Sequence, residues 1–216
     1  MEQILVRGTL GDCFCAALKL NKNENFHILH YTIHKQFYNR IKEIYSIFPN
    51  IKGVEFVEFM YPEVKEISGI PEKGMTWFPK LNLPYIPISP DESYIVICPH
   101  AGREDMMARK IDRDSIRKMI EMLYTIRVVM LGTDKQYKHI RCYENLIGET
   151  SITEAMSIII DSSGFCGPEG FPCFVALSHK IPSVVFWIRK EPVEARLLGN
   201  PWQSHIVDLI NIGDLF

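Results

Sequence analysis

Long apolar runs are missing from this chain. No stretch approaches the roughly 20 residues that a membrane-spanning helix needs, so no integral membrane segment is expected. The opening Met1-Glu2-Gln3-Ile4-Leu5-Val6 has no basic segment ahead of a long apolar core, and no secretory signal is expected. An excess of charge is missing too: 24 Lys and Arg against 26 Asp and Glu leave a formal net charge of -2. Such a balance offers none of the basic field on which nucleic-acid binding depends. The six cysteines, Cys13, Cys15, Cys98, Cys142, Cys166 and Cys173, form no CxxC pair, and there is no HExxH. A zinc site is therefore not expected, and reduced thiols in a cytoplasmic protein are the economical reading. Neither a repeat of solenoid period nor a low-complexity tract is present.

What is there is enough for a core: 47% of 216 residues are hydrophobic. The most informative stretch runs from Ile158 to Pro172. Its apolar Ile158-Ile159-Ile160 reads as a strand entering a turn with Gly164, Gly167 and Gly170. A helix follows from Cys173, with Pro172 suited to its first turn, and Val184-Val185-Phe186-Trp187 reads as the next strand. A glycine-rich loop between parallel strand and helix is a place for phosphate, because backbone approaches closely and the helix dipole favours an anion. Glycines used for turning alone would read the same way.

Strands alternate with helices through the rest of the chain. Ile4-Leu5-Val6 reads as a strand ending in the turn Arg7 to Asp12, with a helix after it through Phe14 and Leu18. His27 to His30 and Val54 to Val57 read as strands, with a helix from Lys35 to Phe48 between them. Eight prolines and glycines between Tyr61 and Asp91 (Pro62 to Pro90) exclude long helices and suit a connector. A second series begins with Tyr94 to Cys98. It continues with a helix bearing Ile116, Met119, Ile120 and Leu123, which Asp112 or Asp114 caps, and with strands at Val128 to Leu131 and Asn145 to Gly148. Ser151 to Glu154 is a capping box before a further helix, and another helix is expected near Glu191 to Leu198. The expected fold class is α/β with two Rossmann-like lobes, residues 1–90 and 91–216, and ligands at the carboxyl ends of the strands.

With these pieces in order the chain resembles a glycosyltransferase of the two-lobed GT-B type, most of all the bacterial heptosyltransferases (glycosyltransferase family 9). Four segments carry the resemblance. They are Ile4 to Asp12, which resembles the family's first strand and Gly-Asp turn, Cys98-Pro99-His100-Ala101-Gly102-Arg103 with Arg109-Lys110, Leu131-Gly132-Thr133 with Asn145 to Ser151, and Glu169-Gly170-Phe171-Pro172 to Lys180-Ile181-Pro182. Two positions depart from the family pattern: Glu169 stands for its Asp and Phe174 for its His. Glu-Gly-Phe-Pro is also similar to a turn of another GT-B group, in which the acidic residue binds donor-sugar hydroxyls. The N-terminal lobe is expected to be reduced relative to the family.

The resemblance implies an inverting transfer from a nucleotide-diphosphate sugar to a glycan or other hydroxyl acceptor, with Asp12 as the base that takes the acceptor proton. Asp12 as a plain helix cap is the competing role. No Asp-x-Asp pair is read as a metal motif, so no metal cofactor is expected, and Arg103 with Arg109 or Lys110 would hold the leaving diphosphate. Gly102 belongs to the same loop. Gly132 and Thr133 would meet ribose or base, and Gly167, Glu169, Gly170 and Phe171 would form the donor turn. Arg7, Gly11 and His100 would line the acceptor side. His27 and His30 fall on opposite faces of their strand and are not read as a metal pair. Two other classes fit the same residues: an inactive relative that binds a nucleotide sugar or a protein, and a sugar-nucleotide epimerase.

Overall fold

The computed structural model describes residues 1–69, 81, 83–84, 88, 93–101, 109–187 and 205–208. The chain divides into two compact units, the first built on Met1–Pro84 and the second on Tyr85–Leu198. The helix expected near Glu191 to Leu198 and most of the Pro-rich connector lie outside the described residues.

In the first unit β1 (Glu2–Arg7) leads to α1 (Leu10–Leu18), β2 (Phe26–Tyr31), a 3-10 turn (Lys35–Phe37) running into α2 (Tyr38–Ser46), β3 (Ile51–Val57) and β4 (Glu66–Ile67). The four strands form a parallel sheet in the order β3-β2-β1-β4. Consecutive Ile4, Leu5 and Val6 are all buried, the run expected of a strand covered on both faces. Each such side chain contributes about 1.5–3 kcal/mol by leaving water. On α2, Ile41, Ile44 and Tyr45 are wholly buried at helical spacing, whereas Arg40 and Lys42 are exposed. Two expectations are corrected here. The region after Tyr61 is not all connector, because Glu66–Ile67 pairs with β1. Helix α1 starts at Leu10, so Gly11 and Asp12 lie inside its first turn.

The second unit contains β5 (Tyr94–Ile97), an antiparallel ribbon of β6 (His100–Ala101) and β7 (Arg109–Lys110), α3 (Arg113–Met122), β8 (Arg127–Met130), a 3-10 turn (Lys135–Tyr137) and β9 (Glu144–Asn145). Then come α4 (Ile152–Ile160), β10 (Gly164–Pro168), α5 (Phe171–Ser178), β11 (Ser183–Trp187) and β12 (His205–Asp208). Six strands pair in parallel in the order β12-β11-β10-β5-β8-β9. Ile97, Ile111, Ile116, Val128, Met130 and Phe186 are part of one apolar cluster, which Met119 of α3 joins.

Ile158-Ile159-Ile160, expected as a strand, ends helix α4 instead. The Ser151–Glu154 capping box starts that helix: the Glu154 carboxylate accepts from the Ser151 amide at 2.7 Å, and Ser151 Oγ accepts from the Glu154 amide at 3.2 Å. Burying Ile158 and Ile159 completely or nearly so outweighs their modest preference for strand. The strand is Gly-Phe-Cys-Gly-Pro, a poor strand former by composition. It sits between β5 and β11 because Gly167 has no side chain. A Cβ there would stand 2.6 Å from the Cys98 carbonyl oxygen. Likewise the strand expected at Asn145 to Gly148 is only Glu144–Asn145, after which Gly148 turns the chain with φ of +75°.

Candidate functional site

Each sheet changes direction once, and each change marks a place for a ligand. In the second unit β5 lies between β10 and β8, so the chain leaves β5 towards β8 and β9 but leaves β10 towards β11. Loops leaving the carboxyl ends of such neighbours diverge and open a crevice. The two loops here are Cys98–Ala101, running into the β6–β7 ribbon, and Glu169–Phe171, running into α5. They touch: a Cβ on Gly170 would come within 2.7 Å of Ala101 Cβ. Gly170 thus lets the α5 N-terminus settle against the ribbon. That terminus has Pro172 and no acidic residue in its first turn, and the buried Glu169 stands just ahead of it.

Of the predicted donor-side residues, Glu169 is buried, at 2% exposure, just after β10. His100, predicted for the acceptor side, is buried at 7% just after β5 in this unit. Phe171 opens α5 and is half-buried. Gly132 follows β8 with φ of +149°, and its carbonyl accepts from the Gly148 amide at 2.7 Å. Thr133 next to it is exposed. Lys110 Nζ reaches Asp134 Oδ2 at 2.9 Å, which ties the ribbon to the loop after β8. Burial opposes ionisation of Asp134, but the Lys110 and Gln136 bonds outweigh it and hold the carboxyl below its usual range. Lys110 is therefore an ion-pair partner in this structure, and a ligand anion there competes with Asp134. Arg109 pairs with Ala101 through the ribbon backbone. Gly102 and Arg103 lie outside the described residues. Gly167 serves the packing of β10 against Cys98.

The sequence does contain one Asp-x-Asp spacing, Asp112-Arg113-Asp114, so the lack of such a pair is no argument for a metal-free reaction. The structure uses both carboxylates locally. Asp112 caps α3 by accepting from the Asp114 and Ser115 amides at 3.0 and 2.9 Å, and Asp114 pairs with Arg117 at 2.8 Å. Among the described residues no group of three or more His, Cys, Asp or Glu is placed to hold a metal ion, and no helix is long and apolar enough to cross a membrane. No disulfide joins the cysteines.

In the first unit the change of direction falls between β1 and β4. Asp12 sits there on the first turn of α1. Its Oδ2 accepts from the Thr9 amide at 2.7 Å and from the Thr9 hydroxyl at 3.2 Å. The carboxylate therefore does act at the helix start, through Thr9. Gly8 and Gly69 close around it: a Cβ on either would stand 2.3 Å from an Asp12 side-chain atom. Gly8 also has φ of +123°, which side chains rarely tolerate. Gly11 is the neighbouring first-turn residue. Arg7 is held in an exposed two-pronged pair with Glu66, both contacts at 2.6 Å. The loops after β2 and β3 expose Ile33, Phe59 and Tyr61, and Tyr31 lies opposite Val57 in register, so these loops leave the sheet side by side.

One cluster beneath this turn was not predicted. His30 on β2 is wholly buried. Its Nδ1 lies 3.0 Å from Tyr45 Oη and its Nε2 3.2 Å from the Gly8 carbonyl oxygen, with Cys13 Sγ at 3.8–3.9 Å from both nitrogens. Burial pulls His30 down to about 4, against the Gly8 carbonyl, which favours the cation. The ring is thus neutral at pH 7. A carbonyl can only accept, so Nε2 carries the proton and Nδ1 accepts from Tyr45. Desolvation likewise pushes the Cys13 thiol and the Tyr45 phenol up. A histidine on an apolar strand gives no sequence signal for this, since Tyr45 is brought to it only by the packing of α2.

No protein-family model matches the sequence, and no curated protein does. Solved structures do. A glycosyl transferase family 9 protein from Veillonella parvula superposes with a TM-score of 0.63 at 9% identity, over 96% of this chain and 86% of that one. The E. coli heptosyltransferase WaaC, solved with ADP, gives 0.64 at 10% identity over 95% and 92%. E. coli ADP-heptose lps heptosyltransferase II gives 0.59 at 11% identity over 96% and 90%. The fold is that of these glycosyltransferases: parallel α/β units of the GT-B-like kind, with the four-stranded first unit the smaller.

Proposed function

We propose that this protein is a glycosyltransferase that binds a nucleoside-diphosphate sugar on its second unit and moves the sugar, with inversion, to a hydroxyl acceptor. The observation that carries this reading is the pairing of Gly170 with Ala101 at the strand switch, which sets the N-terminus of α5 against the ribbon that bears Arg109 and Lys110. A diphosphate would meet the helix dipole there, and would compete with Asp134 for Lys110. The structural neighbours include one solved with ADP and another with ADP-D-beta-D-heptose, so an adenosine diphosphate sugar is the donor class to try first.

In this reading both bonds from Thr9 end on Asp12 Oδ2, and Oδ1 takes the acceptor proton. As that O–H bond breaks, the oxygen attacks the anomeric carbon from the face opposite the diphosphate. The bond from that carbon to the diphosphate oxygen breaks, and the electron pair leaves with the nucleotide. The α5 dipole, Arg103 and either Arg109 or Lys110 stabilise the departing charge without a metal ion. Exposed Ile33, Phe59 and Tyr61 offer apolar faces to the carbon-bound hydrogens of the acceptor. A positioned base contributes about 100- to 10,000-fold. Asp12→Asn is accordingly expected to lower turnover by at least about 100-fold, with nucleotide affinity within about twofold. Unchanged turnover in a sugar-transfer assay removes Asp12 from the mechanism.

A second reading has its own observation. Asp12 is engaged with Thr9 and Lys110 with Asp134, as in a protein that binds a nucleotide sugar but does not transfer it. Binding without transfer or donor hydrolysis, measured on one preparation, supports this reading. Turnover excludes it.

A further inference from the structure

The His30 cluster has a geometry that packing alone does not call for. A neutral histidine buried beside Phe56 and Tyr45 gives up its hydration, and an apolar side chain of similar size fills that space more cheaply. What the imidazole supplies is a donor aimed at one carbonyl, Gly8, and an acceptor for one hydroxyl, Tyr45. The Gly8 carbonyl and the Thr9 amide are two ends of one peptide group. At its oxygen end that group accepts from His30 Nε2 at 3.2 Å; at its nitrogen end it donates to Asp12 Oδ2 at 2.7 Å. Because a peptide group is planar and stiff, fixing its oxygen fixes the direction of its N–H.

We propose that Tyr45 and His30 form a buried hydrogen-bond relay that acts through the Gly8–Thr9 peptide to hold the Asp12 carboxylate in place, which makes His30 a positioning residue for the first unit's site. The inference rests on the reading of Asp12 as the base. The order is Tyr45 O–H to His30 Nδ1, His30 Nε2–H to the Gly8 carbonyl, and Thr9 N–H to Asp12 Oδ2. Each bond polarises the next, so the two charge-neutral members strengthen the last, charge-assisted one. Gly8 is constrained to match: with φ of +123° it turns the peptide, and it has no Cβ to displace Asp12. His30 neutralised by burial keeps this pattern of donors and acceptors throughout the neutral range.

The test uses the whole chain and four variants: His30→Met, which fills the space without a donor, His30→Gln, whose amide N–H can reach the Gly8 carbonyl, Tyr45→Phe and Asp12→Asn. The Thr9 amide proton, followed by NMR, reads the relay directly and needs no activity. His30→Met is expected to move that resonance upfield and to lower kcat about tenfold, as for a displaced catalytic group, with the donor KM within about twofold. Tyr45→Phe should move it by less, and His30→Gln should return both the resonance and most of kcat. A Thr9 resonance that stays in place in every folded variant overturns the relay. So does a His30→Met protein that loses only thermal stability at unchanged kcat. If instead Asp12→Asn keeps full turnover while Thr9 still answers to His30→Met, the base assignment fails and the relay stands as a feature of the turn.

Discussion

His30 titrates far from its usual range, and the consequence is measurable in the stability of the protein. Its folded-state value is about 4, against 6.5 when free. The unfolded chain therefore takes up a proton below pH 6.5 that the folded chain refuses. Stability from this group is complete above pH 6.5, falls as the pH drops, and is gone below about 4, a loss of about 3 kcal/mol over that window. His179, also lowered by burial, adds to the same acid slope. Urea denaturation at pH 7 and pH 5 should show a smaller drop for His30→Gln than for the wild type, and equal drops would contradict the burial account. Asp12 was legible in the sequence as a turn carboxylate, but its partner was not. The Gly-Asp pattern suggests Asp12 as the cap of a helix that begins at Cys13, whereas in the structure Thr9 is the cap and the helix begins at Leu10. His30 was legible only as a strand residue, because its role depends on a tyrosine fifteen positions along the chain.

A helix start marked by its own cap is legible in the sequence, whereas a short strand fixed by distant partners is not. Helix α3 has its apolar spacing and Asp112 at its start, both visible in the chain, and both stand. Asp112→Ala should cost about 1 kcal/mol, since two amides lose their acceptor. Thermal unfolding by circular dichroism reads this as a lower Tm; no change would place the helix start elsewhere. The triple isoleucine misleads because β-branching argues for strand, whereas the capping box seven residues upstream had already begun a helix. Strand β10 misleads in the other direction: two of its five residues are glycine, and their use is to admit Ile95 and Cys98 of the neighbouring chain segment. Strand β4 is two residues long and leaves no periodic trace. At this scale the exposed loops after β2 and β3 carry a further prediction. Phe59→Ala should raise the acceptor KM several-fold and leave the donor KM unchanged, and a change in the donor KM alone would remove these loops from acceptor binding.

For the whole molecule, alternation of strand and helix was enough to foresee two parallel α/β series, and the structure has one parallel sheet in each unit. The orders β3-β2-β1-β4 and β12-β11-β10-β5-β8-β9 were not legible, because strand order is decided by pairings between residues far apart in sequence. Those orders are what place the Asp12 turn and the Gly170 turn each at a switch point, and the functional account depends on both. The donor half of it can be tested without knowing the acceptor. Isothermal titration of ADP in the presence of EDTA is the most direct measurement, on the wild type and on Gly170→Val, whose side chain has no room beside Ala101. The account predicts one ADP per chain for the wild type and an affinity at least about tenfold weaker, some 1.4 kcal/mol, for a variant that remains folded. Equal affinities, or binding that appears only when a divalent cation is restored, would contradict it.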